Sequence, residues 1–215
     1  MKRRKTTPQR RPGGPNESLH ERRRRELIAA TMDAIAAHGL GGTTVARVAE
    51  CAGLSVGIIS FYFANKAALL LATLQHLVES YERAWRDAIA RAGDDPARQL
   101  EALIDATFEA SLCNVRTISV WNAFWGEASA RSEYLRVCGQ RDAEFRQEAH
   151  RLISEIAKRG DFSHVDPDAT TLAFVHLIEW LPEWMLGDEK QAFDLDWARL
   201  TCRRFLSSVF PGQLS

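Results

Sequence analysis

The chain has 215 residues, of which 46% are hydrophobic, so it can bury the core of one large domain or of two small ones. Its formal net charge is zero, but residues 1–66 carry 12 Lys/Arg against 5 Asp/Glu and residues 67–215 carry 16 against 23, a division typical of a protein that binds DNA at one end. No apolar run reaches membrane length, no secretory h-region is present and the four cysteines form no CxxC pair, which predicts a cytoplasmic protein without a disulfide frame or zinc site.

The first predicted segment, residues 1–17, is a basic arm. It contains six Lys/Arg, three prolines and two glycines, a composition that cannot bury a core, so we expect it to be disordered in the free protein. Two interpretations stay open: a solvated tail, or an arm that lies along phosphates or enters a minor groove.

The first helix is predicted to begin at Ser18, because Ser18 and Glu21 have the spacing of a capping box. Its core-facing residues recur at helical spacing: Leu27, Ala30, Thr31, Ala34 and Ile35. The four arginines at 22–25 place positive charge at the helix start, which the helix dipole disfavours and a nearby phosphate would compensate. We therefore assign them to a DNA-facing surface. Three glycines at 39–42 are predicted to end the helix.

The next stretch, residues 43–66, has the pattern of a helix-turn-helix. Apolar residues at helical spacing define its first helix: Val45, Val48, Ala49 and Ala52. Two threonines can cap the start of this helix, and Gly53 can end it, because glycine readily adopts the left-handed conformation. Ser55 is then predicted to cap a second short helix, the one that enters the major groove in such motifs.

The second of these helices is predicted to read DNA. Ile59 is placed to pack on the first helix, whereas Gly57 and Ser60 point outward, where small side chains allow close approach and a hydroxyl can donate. Tyr62 and Lys66 flank the helix end and could bind phosphates. The predicted DNA-binding residues are Thr43, Thr44, Ser55, Gly57, Ser60, Phe61, Tyr62 and Lys66. The alternative is an ordinary surface hairpin of two helices.

The rest of the chain is predicted to be helical as well. A long helix over residues 66–91 would touch DNA at its start and the second domain at its far end, so it could transmit a signal. Further helices are predicted over residues 96–113, 116–130, 132–159, 166–187 and 194–209. The predicted fold class is all-α, with a three-helix DNA-binding domain at 18–66 and a helical-bundle ligand-binding and dimerisation domain at 67–215.

Two aromatic clusters in the second domain predict a ligand site. The first pairs Trp121 with Trp125, four residues apart on one helix face. The second repeats this spacing beside two glutamates, and Pro182 within it would kink the helix and open space. Tryptophan faces with a carboxylate suit an organic cation. The predicted ligand-binding residues are Trp121, Phe124, Trp125, Glu179, Trp180, Glu183 and Trp184. The same tryptophans could instead form core or dimer interface.

The motifs of common catalytic and metal sites are not found in the sequence. It contains no glycine-rich phosphate loop, no GxSxG elbow and no HExxH or HxxxH spacing among its six histidines. We therefore expect neither an enzyme nor a bound metal or cofactor.

The stretch at 49–69 resembles the DNA-binding domain of TetR-family transcriptional repressors, whose pattern AxxAGLSxGxxxxYFxxKxxL it contains in register. Within that family the chain is similar to the choline-responsive (BetI-like) repressors of glycine-betaine synthesis, through GLSVGIIS at 53–60 and WNAFW at 121–125. Pro182 and the two adjacent glutamates depart from that subfamily, so the effector is predicted as an organic cation of the quaternary ammonium type, without specifying choline.

The resemblance implies a homodimer in which two C-terminal helices pack against their twins, so that two heads bind a palindromic operator. The last two predicted helices do carry more apolar residues than a terminal hairpin can bury against its own chain. The predicted function is that of a repressor with a small-molecule effector. The effector binds two states of the dimer with unequal affinity and so shifts the dimer from one state to the other. The alternative is a ligand-independent architectural DNA-binding protein with a purely structural aromatic core.

Overall fold

The computed structural model describes residues 18–127, 131–187 and 194–214, so the predicted arm at 1–17 lies outside the described residues. The described residues form nine α-helices and no strand, which confirms the all-α prediction. The helices are α1 (Leu19–Gly42), α2 (Val45–Ala52), α3 (Val56–Tyr62), α4 (Lys66–Arg91), α5 (Pro96–Thr107), α6 (Val115–Gly126), α7 (Arg131–Arg159), α8 (Pro167–Gly187) and α9 (Leu195–Val209). Within these ranges no single helix is long and apolar enough to cross a membrane, and only the bent pair α2–α3 reaches that limit, by length and composition alone.

α1 begins and ends as its sequence predicts. The Ser18 hydroxyl oxygen accepts a hydrogen bond from the Glu21 amide at 3.1 Å, and the Glu21 carboxylate accepts one from the Ser18 amide at 2.9 Å, which completes the capping box. Gly39 interrupts the helix near its end with φ 67° and ψ 174°, a conformation that glycine adopts without steric cost. The chain then turns into Thr43, whose amide donates to the Gly39 carbonyl at 3.1 Å.

α5 is six residues shorter than predicted, because it ends at Thr107 rather than at residue 113. Phe108 leaves the helical conformation and is completely buried in the core. Its carbonyl accepts a hydrogen bond from the Arg199 guanidinium of α9, a partner that lies 91 residues away in sequence. Asn114 then starts α6, with its side chain accepting the Thr117 amide at 3.0 Å.

The core consists of three clusters, and α4 contributes to each of them. The head cluster comprises Leu27, Ile28, Ala30, Ala34, Val48, Ala49, Ile59, Phe63, Leu69 and Ala72. The junction cluster comprises Met32, Ile35, Leu40, Leu74, Leu77, Val78, Val120, Phe124 and Cys138. The body cluster joins Trp85 of α4 to buried residues of α5 to α9. The junction cluster therefore packs the first helix of the DNA-binding domain directly against α6 and α7.

Candidate DNA-binding surface and effector site

α2 and α3 form the predicted helix-turn-helix. The Thr44 side-chain oxygen accepts the Arg47 amide at 3.2 Å and caps α2, and Gly53 ends it in the left-handed conformation at φ 65°. The two helices meet at 103°, within the range of helix-turn-helix pairs. Ile59 is 2% exposed and lies in the head cluster, as predicted, so the opposite side of α3 faces solvent.

The outer face of α3 combines small polar side chains with one large ring. Ser55, Gly57 and Ser60 are exposed, and Phe61 is 75% exposed. Ser55 precedes the helix but its hydroxyl makes no capping bond, which leaves it available to bind a phosphate or a base edge. This face has the exposure and the small size that close approach to a DNA groove requires.

An aromatic group closes the end of α3, and one member of it comes from another helix. The His20 ring of α1 lies with its centroid 4.7 Å from that of Tyr62, which is itself 5.1 Å from that of Phe61. Arg24, also on α1, donates to the Tyr62 carbonyl at 3.4 Å and lies 4.4 Å from the centroid of the Phe63 ring. These contacts orient the predicted phosphate-binding end of α3.

Two predicted DNA-binding residues make hydrogen bonds within the protein. Thr43 is 1% exposed and its hydroxyl donates to the Gly39 carbonyl at 2.7 Å, so the structure corrects its assignment: it holds the α1–α2 turn instead of facing DNA. Lys66 is half-buried, and its ammonium donates to the Leu40 carbonyl at 3.3 Å. That bond ties the start of α4 to the end of α1.

The first predicted aromatic pair lies beside a tyrosine that the sequence analysis did not single out. The Tyr134 ring of α7 meets both tryptophans edge-on, with centroid distances of 6.1 Å to Trp121 and 5.3 Å to Trp125. Trp121 is half-buried and Trp125 is 48% exposed. Phe124 is 4% exposed and packs in the junction cluster, against which Trp121 and Tyr134 also pack.

A guanidinium occupies the space beside this aromatic group. The Arg141 Cζ atom of α7 lies 5.1 Å from the ring centroids of both Tyr81 and Trp121. Its Nε donates to the Asp142 carboxylate at 2.8 Å. Burial raises the pKa of Tyr81 to about 12, and its hydroxyl shares a hydrogen bond of 3.2 Å with Thr107. The rings and the carboxylate thus form a cation site, and Arg141 fills it.

The second predicted aromatic pair faces away from this site. Trp180 is 61% exposed on α8, and Trp184 lies against Trp197 of α9 with ring centroids 5.4 Å apart. Glu183 is half-buried and hydrogen-bonded to Asn122 of α6; burial raises the pKa of its carboxyl. Glu179 is exposed as a whole residue. Desolvation of its carboxyl by the nearby protein, and then the negative charge of Asp142, raise its pKa. The two glutamates therefore border α6 and α7, whereas Trp180 is largely exposed and Trp184 packs on α9.

The helix that carries Trp121 is also bound to the first helix of the head. The Arg116 Nε of α6 lies 2.6 Å from the Asp33 carboxylate of α1, and its terminal nitrogen donates to the Ala29 carbonyl. Together with the junction cluster, this pair gives α6 a direct contact with the DNA-binding end.

Five residues important to the site were missed by the sequence analysis: Tyr81, Asn122, Tyr134, Arg141 and Asp142. A usable signal existed for Arg141, because it lies on the same stripe of α7 as the buried residues Phe145, Ala149 and Leu152. A lone cation on an apolar stripe indicates a specific buried partner.

The chain matches two protein-family models and several curated relatives. Residues 27–73 match the model of bacterial regulatory proteins of the tetR family, and residues 96–211 match that of the BetI-type transcriptional repressor, C-terminal. The HTH-type transcriptional regulator BetI of Pseudomonas paraeruginosa is 34% identical over 187 residues, 85% of this chain and 90% of that protein. The BetI of Stenotrophomonas maltophilia is 37% identical over 123 residues, 57% of this chain and 63% of that protein.

Solved structures support the fold. A protein described as a transcriptional regulator from Pseudomonas aeruginosa PAO1 superposes with a TM-score of 0.74 at 24% identity, covering 89% of this chain and 92% of its own. A TetR/AcrR-family regulator from Thermobifida fusca gives 0.62 at 20% identity, covering 89% and 98%. These family names are those of transcriptional regulators, not of enzymes. The chain belongs to the TetR family of transcriptional repressors, with a C-terminal domain of the BetI type.

Proposed function

We propose that this TetR-family repressor acts as a homodimer on a palindromic operator and responds to a small organic cation of the quaternary ammonium type. The observation that carries the proposal is the exposed side of α3, which combines the small residues Ser55, Gly57 and Ser60 with the Phe61 ring, while Ile59 fixes the helix on the head cluster. Because its proposed target is DNA, we expect the protein to act in the cytoplasm.

The proposed DNA contacts come from one continuous surface. Thr44, Ser55, Gly57, Ser60 and Phe61 are all exposed at α2 and α3. Tyr62 and Lys66, both half-buried, stand at its end, where a phenol and an ammonium reach phosphate oxygens. Small residues in the middle and donors at the edges suit a short helix in the major groove.

The homodimer is supported by apolar side chains that α8 and α9 leave in solvent. These exposed residues are Leu172, Trp180, Trp184 and Leu200. Several large apolar side chains exposed on one pair of helices indicate an interaction site, and a two-fold partner would cover the same residues on both copies. Two heads can then bind two half-sites, which supplies the affinity that one seven-residue helix lacks.

The organic-cation effector is supported by the chemistry around Trp121. Rings from two helices, Tyr81 of α4 and Trp121 of α6, and the Asp142 carboxylate lie around one cation in this structure. The same observation favours a second candidate function, in which Arg141 completes a purely structural core and the protein is a ligand-independent DNA-binding protein.

Two measurements test the proposal. Fluorescence anisotropy with DNA fragments from beside the gene should find a palindromic site bound at least a thousandfold more tightly than random DNA. Melting curves with choline, tetramethylammonium and neutral metabolites should show that only the cations raise the melting temperature. A protein that binds DNA equally well with every compound, and melts unchanged, is the ligand-independent candidate.

A further inference from the structure

The site between α4, α6 and α7 already holds a cation, because the Arg141 guanidinium lies between two aromatic rings. Both Cζ-to-centroid distances, to Tyr81 and to Trp121, are 5.1 Å, inside the range of cation–π attraction. The side chain is 13% exposed and forms an ion pair with Asp142. The aromatic faces and the counter-charge that an organic cation requires are both present here. The cation that they hold is a side chain of the protein itself.

Arg141 stays charged in this environment. Burial is the largest single effect and opposes its charge, but the Asp142 carboxylate together with Tyr81 and Cys138 outweighs burial, and the pKa of the guanidinium is raised. The surroundings therefore stabilise positive charge as such, and no feature of the two rings requires it to be a guanidinium. A ligand cation of similar size meets the same rings and the same carboxylate.

We propose that Arg141 is a tethered competitor of the effector, and that an effector cation binds by displacing its guanidinium from between Tyr81 and Trp121. This deepens the proposed organic-cation function and rests on it. Arg141 then sets which ligands act: a neutral molecule of the same shape makes neither the cation–π contact with the rings nor the charge pair with Asp142 that would offset the loss of the guanidinium.

The displacement connects the site with the DNA-binding end. Tyr81 stands on α4, the helix that begins in the head cluster, and Trp121 stands on α6, which is bound to α1 through Arg116 and Asp33. Removing one side chain from between these rings changes the packing of both helices that reach the head. The two states that a ligand must distinguish are thus Arg141 inside and Arg141 outside the site.

The first test labels arginines in the full-length wild-type protein with phenylglyoxal and maps the sites by peptide mass spectrometry. Arg141 should be protected in the free protein and should react at least tenfold faster in saturating choline. Arg98, with 77% of its side chain exposed, should react at one rate throughout. The neutral isostere 3,3-dimethyl-1-butanol should leave Arg141 protected.

The second test compares Arg141→Gln with Arg146→Gln by calorimetric titration of choline. Both variants remove one positive charge from α7, but Arg146 is exposed and lies outside the rings. We expect Arg141→Gln to bind choline at least tenfold more tightly than wild type, and Arg146→Gln to stay within about threefold, because only the first removes the competitor. The labelling test needs no variant and decides the matter if Arg141→Gln does not fold.

The outcomes separate this inference from the proposed function. Choline that binds wild type while Arg141 stays protected, with unchanged affinity in Arg141→Gln, overturns displacement and leaves the cation effector standing. Choline that binds only Arg141→Gln shows that the guanidinium closes the site permanently, which overturns both displacement and the cation effector. Operator binding, measured separately, remains a test of the repressor alone.

Discussion

Neighbouring residues of α6 have different tasks. Phe124 is 4% exposed and fills the junction cluster, whereas Trp125 is 48% exposed and places its ring 5.3 Å from that of Tyr134. Both were predicted from one pattern, WNAFW, because helical spacing identifies residues on a shared side of a helix. It does not say which of them reaches the core, since that depends on how the helix is rotated against α1 and α7.

The first prediction separates these two roles. Phe124→Ala should cost about 3–5 kcal/mol of unfolding free energy, because it leaves a cavity in the core. Trp125→Ala should cost about 1 kcal/mol or less but weaken choline binding about tenfold, because we propose that its ring, packed on Tyr134 next to Trp121, also belongs to the effector site. Chemical denaturation and calorimetric titration of both variants measure the two quantities. A Trp125→Ala protein that loses as much stability as Phe124→Ala would place that ring in the core.

The second prediction concerns Lys66. If its ammonium binds a phosphate, Lys66→Ala should reduce the slope of log affinity against log salt concentration by about one. Lys158→Ala, at the far end of α7, is the matched control and should leave the slope unchanged. Anisotropy titrations at four salt concentrations measure both. An unaltered slope in Lys66→Ala would mean that the lysine serves only the Leu40 carbonyl.

Among the elements, those defined by local signals could be predicted and those ended by distant contacts could not. The capping box at Ser18 and the left-handed Gly53 are properties of a few adjacent residues, and both were found in the sequence. The end of α5 depends on the Arg199 guanidinium that holds the Phe108 carbonyl. Likewise Trp180 and Trp184 had the spacing of a site, but the rotation of α8 turns them outward, and no local pattern reports that rotation.

The third prediction tests the contact between α6 and α1. Arg116→Ala should leave both operator affinity without effector and choline affinity near wild type, because Arg116 lies at neither site. It should reduce the coupling free energy between them by about 0.5–2 kcal/mol, since the pair with Asp33 joins the effector helix to the head. Operator titrations with and without choline measure it, with Arg98→Ala as the control. Full coupling in Arg116→Ala would assign transmission to α4 alone.

For the whole molecule, the exposed face of α8 and α9 determines the proposed assembly. Four large apolar side chains there are 45–61% exposed in the single chain. In water such a surface favours association, and a two-fold axis lets one patch cover its own copy. In the proposed dimer, DNA binding depends on this face although the face lies outside the proposed DNA-binding surface.

The fourth prediction follows from this face. Leu172→Glu combined with Leu200→Glu should convert the proposed dimer into a monomer, because it places four charges in the proposed interface. Operator affinity should fall by at least a hundredfold, while the melting transition persists. Leu135→Glu, an equally exposed leucine of α7, should change neither. Sedimentation and anisotropy measure both properties, and a double variant that still sediments as a dimer would move the interface elsewhere.

Because α4 is one continuous helix that packs in both the head and the body, it restricts where chimeras of this chain and its relatives can be joined. A chimera joined after Lys66 would supply foreign residues where Leu69 and Ala72 complete the head cluster. One joined after Arg91 would instead set the parental α4 against a foreign α6 in the junction cluster. Each crossover point disrupts a packed layer, so new effector responses in this architecture are expected to arise by substitution inside the body, with the head kept.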